Sequence, residues 1–306
     1  MRSPVPEGNI LAFIEAPIMK LIKTYFSMTR PRIVFMVLIT TVWGFVLSCI
    51  QHGRPEGMIY AFVMTMIGTA LTASGGLVLN HVLERDQDAK MPRTRNRPLS
   101  TGELKPAQAL AFGMWLIISG IVIVWSQVNL LTAFLVLMSD FLYVLVYTPM
   151  KRVSSVNTTL GAIPGAIPPL VGWAAAHGQL GVEPWLLFAI LFVWQHPHVY
   201  AIAWMYKDDY AGAGFKMLSL NDDGTRTGIG VILGTLVLVP VSLLPTYWGM
   251  TSQVYFWTAL VAGLVLVALS VPVMRNRSRA SALCMLKATV YYLPLLLVGI
   301  IVDALI

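Results

Sequence analysis

The sequence predicts an all-α, polytopic membrane protein: nine transmembrane helices bundled around a central cavity open toward cytoplasmic loops, with the N-terminus inside and the C-terminus outside. Three observations predict it. Of 306 residues, 57% are hydrophobic and 11% charged, with a mean hydropathy of +0.73, more apolar surface than a water-soluble globule can bury. The apolar runs are each about 17–25 residues long, enough to cross a bilayer as a helix, and they lack the alternation of an outer-membrane barrel. The third is the distribution of charge between the runs.

Along the chain, residues 9–32 hold short apolar groups (Ile10, Leu11, Phe13, Ile14; Ile18, Met19, Leu21, Ile22), broken by Pro17 and punctuated by Lys20 and Lys23. This pattern suits an interfacial helix and lacks the uninterrupted apolar core of a cleavable signal peptide. Spans follow at about 33–50, 58–79, 107–126, 129–148, 156–175, 184–204, 227–248, 254–273 and 282–305. Residues 1–32 are thus expected to be a cytoplasmic N-terminal segment and residues 33–306 a single intramembrane domain with acidic loops at 80–105 and 205–226. With the N-terminal flank numbered zero, even-numbered flanks hold 19 of the 20 Lys and Arg outside spans, and Lys287 alone lies within one. The positive-inside rule then puts both acidic loops in the cytoplasm. A single missed or invented span would destroy the alternation.

The net charge of +7 is accounted for by these loops, so no nucleic-acid partner is expected. Cys49 and Cys284 lie more than 200 positions apart in apolar runs and read as small packing residues. Of the isolated charges inside spans, Asp140 and Lys287 are expected to face the bundle interior. Pro164, Pro168 and Pro169, with Gly161, Gly165 and Gly172, are expected to break span five where it lines the cavity, tight helix packing being the competing explanation.

Residues 80–102, NHVLERDQDAKMPRTRNRPLSTG, are the most charged stretch. On a helix, Asn80, Glu84 and Asp88 fall within about 80° of one face, so their oxygens can converge on a single cation, whereas Asp86 points away. Carboxylates at such a site suit Mg²⁺, which takes one or two of them and completes its shell with substrate phosphates. The arginines that follow suit phosphate oxygens. Acids, a divalent ion and arginines together indicate a diphosphate, with Arg93, Arg97, Lys151, Arg152 and Lys207 as its candidate cationic partners. Asp88→Ala is expected to abolish turnover and to cost little stability, on the premise that a cytoplasmic-facing ligand is easily removed. Tyr147 and Tyr210 flank the charged loops and offer aromatic faces to a substrate cation, or serve as interfacial belt residues. His196 and His198 lie toward the inner end of span six, His198 being the stronger functional candidate, its role left open by the sequence; His81 sits beside the Asn-acid face, its role open.

The pattern N-x-x-x-[DE]-R-D-x-D-x-x-M-x-R-T-x-x-R-P-L, met from Asn80 to Leu99, is joined by TRPR (Thr29–Arg32), YTPMKR (Tyr147–Arg152), GAIPGAIPPLVGW (Gly161–Trp173), WQHPH (Trp194–His198) and DYAGAGFKML (Asp209–Leu218). By these motifs the chain resembles the protoheme IX farnesyltransferases, within the UbiA superfamily of intramembrane prenyltransferases, from about residue 25 onward. The resemblance makes residues 33–306 one prenyltransferase domain. It implies transfer of the farnesyl group of farnesyl diphosphate to a vinyl group of heme B, with addition of water giving heme O. It also implies Mg²⁺ as cofactor, the bacterial inner membrane as location and a heme A synthase as downstream partner. The roles it implies are catalytic for Asn80, Glu84, Asp88, Arg93, Arg97, His198 and Asp209, and substrate-binding for Lys151, Arg152, His196, Lys207, Asp208, Tyr147 and Tyr210. Metal ligation falls to Asn80, Glu84, Asp88 and Asp209. Two departures stand out: Glu84 replaces the first acid of the superfamily's usual Asp pair, and the second loop offers the adjacent Asp208 and Asp209 instead of D-x-x-x-D, which leaves a second ion open.

Three other readings fit parts of the chain. An anion transporter would need basic charge along a pore on both sides, but the odd-numbered loops carry a single base, Arg54. A di-heme electron carrier would need histidine pairs facing each other at two depths, and three of the five histidines, His52, His81 and His177, lie at or near loops. A prenyltransferase acting on a quinone precursor or chlorophyll-type acceptor differs only in its second substrate.

Overall fold

The computed structural model describes residues 10–220 and 222–306, the side chains of residues 10–17 excepted; the first nine residues of the expected N-terminal segment lie outside it. Helix α1 (Ile10–Met28) continues through Pro17, a position the sequence marks as a break. It leaves Ile18, Met19, Leu21, Ile22 and Phe26 exposed, the apolar face an interfacial helix presents to lipid. Thr24 and Lys20 tie it to Glu103, at 3.1 and 3.5 Å.

Nine helical spans follow among the described residues, each long and apolar enough to cross a membrane. They are α2 (Pro31–His52), α3 (Met58–Leu83), α5 (Pro106–Gln127), α6 (Leu130–Phe141) with its continuation to Met150, and α8 (Asn157–Ala166) with α9 (Pro168–His177). The last four are α10 (Glu183–Met205), α12 (Thr225–Tyr247), α13 (Gln253–Asn276) and α14 (Arg279–Leu305). Short helices α4 (Arg85–Asp88), α7 (Thr148–Met150) and α11 (Lys207–Ala213) lie at one end of the bundle. Pro at the first or second position starts α2, α5, α9 and α10, where its missing N–H costs no hydrogen bond.

The fifth span is the hub: 72% of its apolar window is buried, against 28–50% for the other eight. It packs along α2 through its second half and against α10 through both halves. Gly44 and Gly172 make the α2–α9 approach possible, because a Cβ on either would run into the backbone carbonyl of Pro169 or Thr41.

The proline-rich segment does not open a gap in this span. Ile167 keeps right-handed helical geometry (φ −70°, ψ −32°) between α8 and α9, so the hydrogen-bond ladder is interrupted but the helical path is not. Pro168 lacks the N–H that would reach the Pro164 carbonyl, and the Ser139 hydroxyl donates to that carbonyl instead at 3.0 Å. Gly161 and Gly165 admit Tyr147 and Gln195 against the helix. Tight packing, not a broken wall, explains these residues.

The fourth span widens into a π-helical turn at Leu142–Tyr147 before α7. Such bulges re-aim the residues that follow. Asp140, just before the bulge, is buried, with Oδ2 unpartnered. Lys287 is exposed on the outer face of α14, so it does not face the interior as expected, and no ion pair joins it to Asp140 among the described residues. A lysine's flexible stem lets the ammonium reach the interface from there.

Candidate active site

Helix α3 ends at Leu83, but its hydrogen-bond register persists: Glu84 N–H reaches the Asn80 carbonyl at 2.9 Å and Asp88 N–H the Glu84 carbonyl at 2.8 Å. The register keeps Asn80, Glu84 and Asp88 on one face, and all three are buried, at 1, 5 and 2% exposure. Asp86 faces outward beside Arg85. The predicted separation of Asp86 from the other three is therefore observed.

Each buried member is held by a partner from elsewhere. Asn80 Nδ2 donates to Thr148 Oγ1 at 3.1 Å, and that hydroxyl donates to the Tyr143 carbonyl at 2.9 Å, inside the π turn. The bulge in span four is what brings Thr148 to Asn80. Glu84 Oε1 accepts from Lys151 Nζ at 2.7 Å, and the same ammonium stands 4.6 Å from the Tyr147 ring centre. Asp88 Oδ2 pairs with Arg97.

Asp88 Oδ1 has no hydrogen-bond partner among the described residues. Its carboxyl is pushed above the ordinary carboxylate value by burial, with Arg97 and Arg30 pulling it back and Glu84 adding to the rise. Burial also lowers Arg97, helped by the nearby Arg30 and resisted by Asp88. Such opposed shifts describe charges drawn into a low-dielectric site and short of compensation. An unpartnered buried carboxylate oxygen, beside a second carboxylate and an amide on the same helix face, fits a hard divalent cation. Asp209 does not join them: among the described residues no three acidic, histidine or cysteine side chains are grouped closely enough to hold one ion.

Arg30 and His81 add to this face. Arg30 caps α2 in the left-handed region (φ 47°, ψ 64°), which is strained for a side-chain-bearing residue. Its Nε donates to His81 Nε2 at 2.6 Å. A guanidinium has no acceptor, so the His81 proton is on Nδ1, which is buried and unpartnered. The TRPR motif marks Arg30 in the sequence, but its reach to His81 was not legible there.

The second acidic loop meets the first across a cleft of about 450 Å³ lined by Arg93, Tyr206, Asp208, Asp209 and Arg279. The Arg93 guanidinium lies over the Tyr206 ring, 4.7 Å from its centre. Asp208 is exposed and Asp209 half-buried. Tyr210 packs edge-on against Phe215, whose ring is 5.9 Å from Lys151 Nζ. Two of the predicted cations are occupied elsewhere. Arg152 donates to the Leu83 carbonyl and to Gln87 Oε1, closing the C-terminal end of α3, and Lys207 donates to the Asp222 carbonyl at 2.6 Å while covering Trp204.

The structure separates the two histidines of span six. His196 Nδ1 faces the Phe192 carbonyl at 2.8 Å and must carry the proton, so Nε2 accepts from Thr159 at 3.2 Å. Both its nitrogens are satisfied. His198 stacks on Trp194 (4.7 Å between centres, 20° between planes), with Nδ1 2.9 Å from Thr289 Oγ1. Thr148 lies inside the YTPMKR motif, though nothing there signals its contact with Asn80, and Thr289 does not stand out in the sequence, since threonines in apolar spans are common packing residues.

Comparison with known proteins follows the same lines. A model of the UbiA prenyltransferase family matches residues 37–293. The chain is 43% identical over 280 residues to a protoheme IX farnesyltransferase of Solibacter usitatus, covering 90% of this chain and 96% of the relative. It is 35% identical over 301 residues to one of Koribacter versatilis, covering 96% and 97%. Among solved structures, a digeranylgeranylglyceryl phosphate synthase superposes with a TM-score of 0.75 at 16% identity, over 92% of this chain and 98% of that one. A UbiA homologue from Archaeoglobus fulgidus bound to GPP and Mg²⁺ gives 0.63 at 13% identity, over 90% and 99%.

Proposed function

The chain belongs to the UbiA prenyltransferase family, and from that premise we propose that it transfers the farnesyl group of farnesyl diphosphate to a vinyl group of heme B, with addition of water, to form heme O. The observation that carries the prenyl-transfer chemistry is the buried Asn80–Glu84–Asp88 face, with a fully buried Asp88 oxygen unpartnered among the described residues and Lys151 and Arg97 bound to its acids. The acceptor rests on the names of the relatives.

Asn80, Glu84 and Asp88 would hold Mg²⁺, leaving Asp209 outside the ligand set. When bound, the ion offsets negative charge on the diphosphate. The protein's own cations do the rest. Cleavage of the C1–O bond leaves diphosphate and an allylic cation, so fixed positive charge near the leaving oxygens lowers the barrier. Arg97, Arg93, Arg30 and Lys151 would provide it, and His81 Nδ1–H would add an uncharged donor. The Tyr147 ring, already beneath an ammonium, offers its face to positive charge. The apolar spans exclude bulk water until the vinyl carbon attacks C1. Water then adds to the cation left on the acceptor, and its proton is released.

The loop charges support a cytoplasm-facing site by the positive-inside rule, the family resemblance supports a bacterial inner membrane, and a heme A synthase is the partner expected to receive the product. Purified protein incubated with Mg²⁺, farnesyl diphosphate and either heme B or 4-hydroxybenzoate, with products read by mass, tests the assignment. Heme O is expected; a prenylated benzoate in its place would transfer the protein to the quinone-precursor reading.

A further inference from the structure

A second cavity, of about 550 Å³, lies between the turn that follows α7 and the loop that joins α11 to α12, with Ser154, Ser155, Phe215, Lys216 and Arg226 among its walls. Its charge differs from that of the cleft at Arg93. That cleft holds two aspartates, whereas no acidic side chain lines this cavity among the described residues. Lys216 and Arg226 are exposed, and neither has an ion pair among the described residues.

The walls are fixed while the polar side chains stay free. Lys216 N–H donates to the Lys151 carbonyl at 2.6 Å, and the Lys216 carbonyl accepts from Asn157 Nδ2 at 2.7 Å. The same amide donates to the Ser154 carbonyl at 2.6 Å, so one fully buried residue ties the two walls together. Arg226 N–H is held by Asp222 Oδ1 at 3.0 Å, at the start of α12. Ser154 Oγ accepts from Val156 N–H at 3.2 Å, which leaves its own proton to donate. Two cations and a hydroxyl donor on a pinned backbone, with no acid beside them, suit an anion.

We propose that this cavity receives the carboxylate edge of the acceptor porphyrin, with Lys216 and Arg226 as partners of its two propionates. The inference rests on the proposed function. A protoporphyrin carries its propionates on the half of the ring opposite the vinyl groups, so a vinyl directed at the allylic cation turns the propionates away from it. A lipid phosphate presents the same chemistry, and two observations favour the porphyrin. The cavity adjoins the reaction face: Phe215, buried in its wall, stands 5.9 Å from Lys151 Nζ, the ammonium that binds Glu84. The charges also match, two cations for two carboxylates, where the phosphodiester of a lipid brings one. Carboxylates held at this interface keep their water while the ring enters the apolar bundle, which avoids the cost of burying charge. Exposed ion pairs are individually weak, so the subsite orients the acceptor more than it holds it.

The test uses the full-length protein in phosphatidylcholine nanodiscs with Mg²⁺ and farnesyl diphosphate, and compares heme B with its dimethyl ester, in which the propionates are uncharged. The double variant Lys216→Met, Arg226→Met is expected to raise the KM for heme B about tenfold, and to leave kcat and the KM for the ester and for farnesyl diphosphate unchanged. Comparing each acceptor with itself cancels the ester's different partition into lipid. Lys216→Arg, which keeps the charge, should behave as the wild type. An equal change with both acceptors, or none with either, would overturn the subsite alone. So would an effect that appears only when phosphatidylglycerol is added and is the same for both acceptors, which would give the cavity to a lipid phosphate. A wild type that prenylates 4-hydroxybenzoate but neither porphyrin would overturn the acceptor reading and the subsite with it. Should the double variant fail to fold, Lys216→Gln alone decides: a rise in KM confined to heme B supports the subsite, and its absence overturns it.

Discussion

The two acidic loops contain similar residues in very different settings. In the first, Glu84 and Asp88 are buried on a helix face and held by Lys151 and Arg97. In the second, Asp222 caps α12, accepting from Arg226 and Thr227 N–H at 3.0 and 2.7 Å and from the Thr227 hydroxyl, and Asp223 pairs with Arg277 at 2.7 Å near the surface. The acidities separate accordingly. Burial raises Asp88. For Asp222 burial is the largest single effect and raises it, but hydrogen bonds from Thr227, Arg226 and Gly224 together outweigh it and lower the carboxyl. Asp223 is lowered by bonds from Thr225 and by Arg277. A carboxylate whose lone pairs are filled by backbone donors is structural; one that is desolvated with an oxygen unfilled is ready for a cation.

The largest break in that contrast is Asp88→Asn, which keeps the side-chain shape and removes the charge. Turnover is expected to fall by about 10²-fold or more, the scale of losing one electrostatic element of a transition state, whereas Asp222→Asn should leave the rate within a few-fold. Steady-state product formation measures both. Asp88→Ala is a poorer probe than the sequence suggests: Asp88 is 2% exposed and bound to Arg97. Removing it strands a half-buried guanidinium, at a cost of about 3 kcal/mol or more, visible as a lowered unfolding midpoint.

Lys151→Met comes next. It leaves Glu84 buried without its ammonium and removes the cation over Tyr147, so both turnover and stability should fall. In a double-mutant cycle with Glu84→Gln the two losses should be strongly non-additive. Additivity would mean that the ion pair is not a unit.

Asp222→Ala should lower stability by about 1 kcal/mol through the lost helix cap, with little change in rate. Its pH dependence has a definite sign. Because the folded-state acidity of Asp222 lies below the ordinary value of 3.8, its contribution is complete above that value and is lost as pH falls through and below it. The wild type should therefore lose more stability than Asp222→Asn on acidification below about pH 4. For Asp88, raised in the folded state, the sign is opposite: its ionisation reduces stability as pH climbs from 3.8 through its folded value.

The smallest effect is expected at Arg93. Tyr206→Leu removes the ring beneath its guanidinium, an interaction of about 0.5–1 kcal/mol at a partly exposed site. A rise of a few-fold in the KM for the diphosphate substrate, with kcat nearly unchanged, is the expected result.

Much of the fold was legible in the sequence, because the bilayer imposes it: helix length follows from bilayer thickness, and loop basicity follows the alternation of sides. The spacing of Asn80, Glu84 and Asp88 was legible for the same kind of reason, since helical periodicity is a local property. Less legible were the partners. Nothing in the spacing of Thr148 or Thr289 announces that one holds Asn80 and the other His198. Arg152 and Lys207, which resemble phosphate ligands in sequence, are bound to carbonyls in the fold.

By itself, then, the sequence determined the span count, the face on which the acids lie and the resemblance to a family, all consequences of periodicity, hydropathy and motif. The tertiary structure alone decided which carboxylate oxygen is left open, which histidine has both nitrogens satisfied, and that the prolines of span five serve packing. These depend on which groups the fold brings together, 9 positions apart for Asp88 and Arg97, 25 for Ser139 and Pro164, and 67 to 91 for the partners of Asn80, Glu84 and His198. Burial and partner geometry set the chemistry of a polar side chain, and neither is a property of the residue's immediate neighbours in sequence.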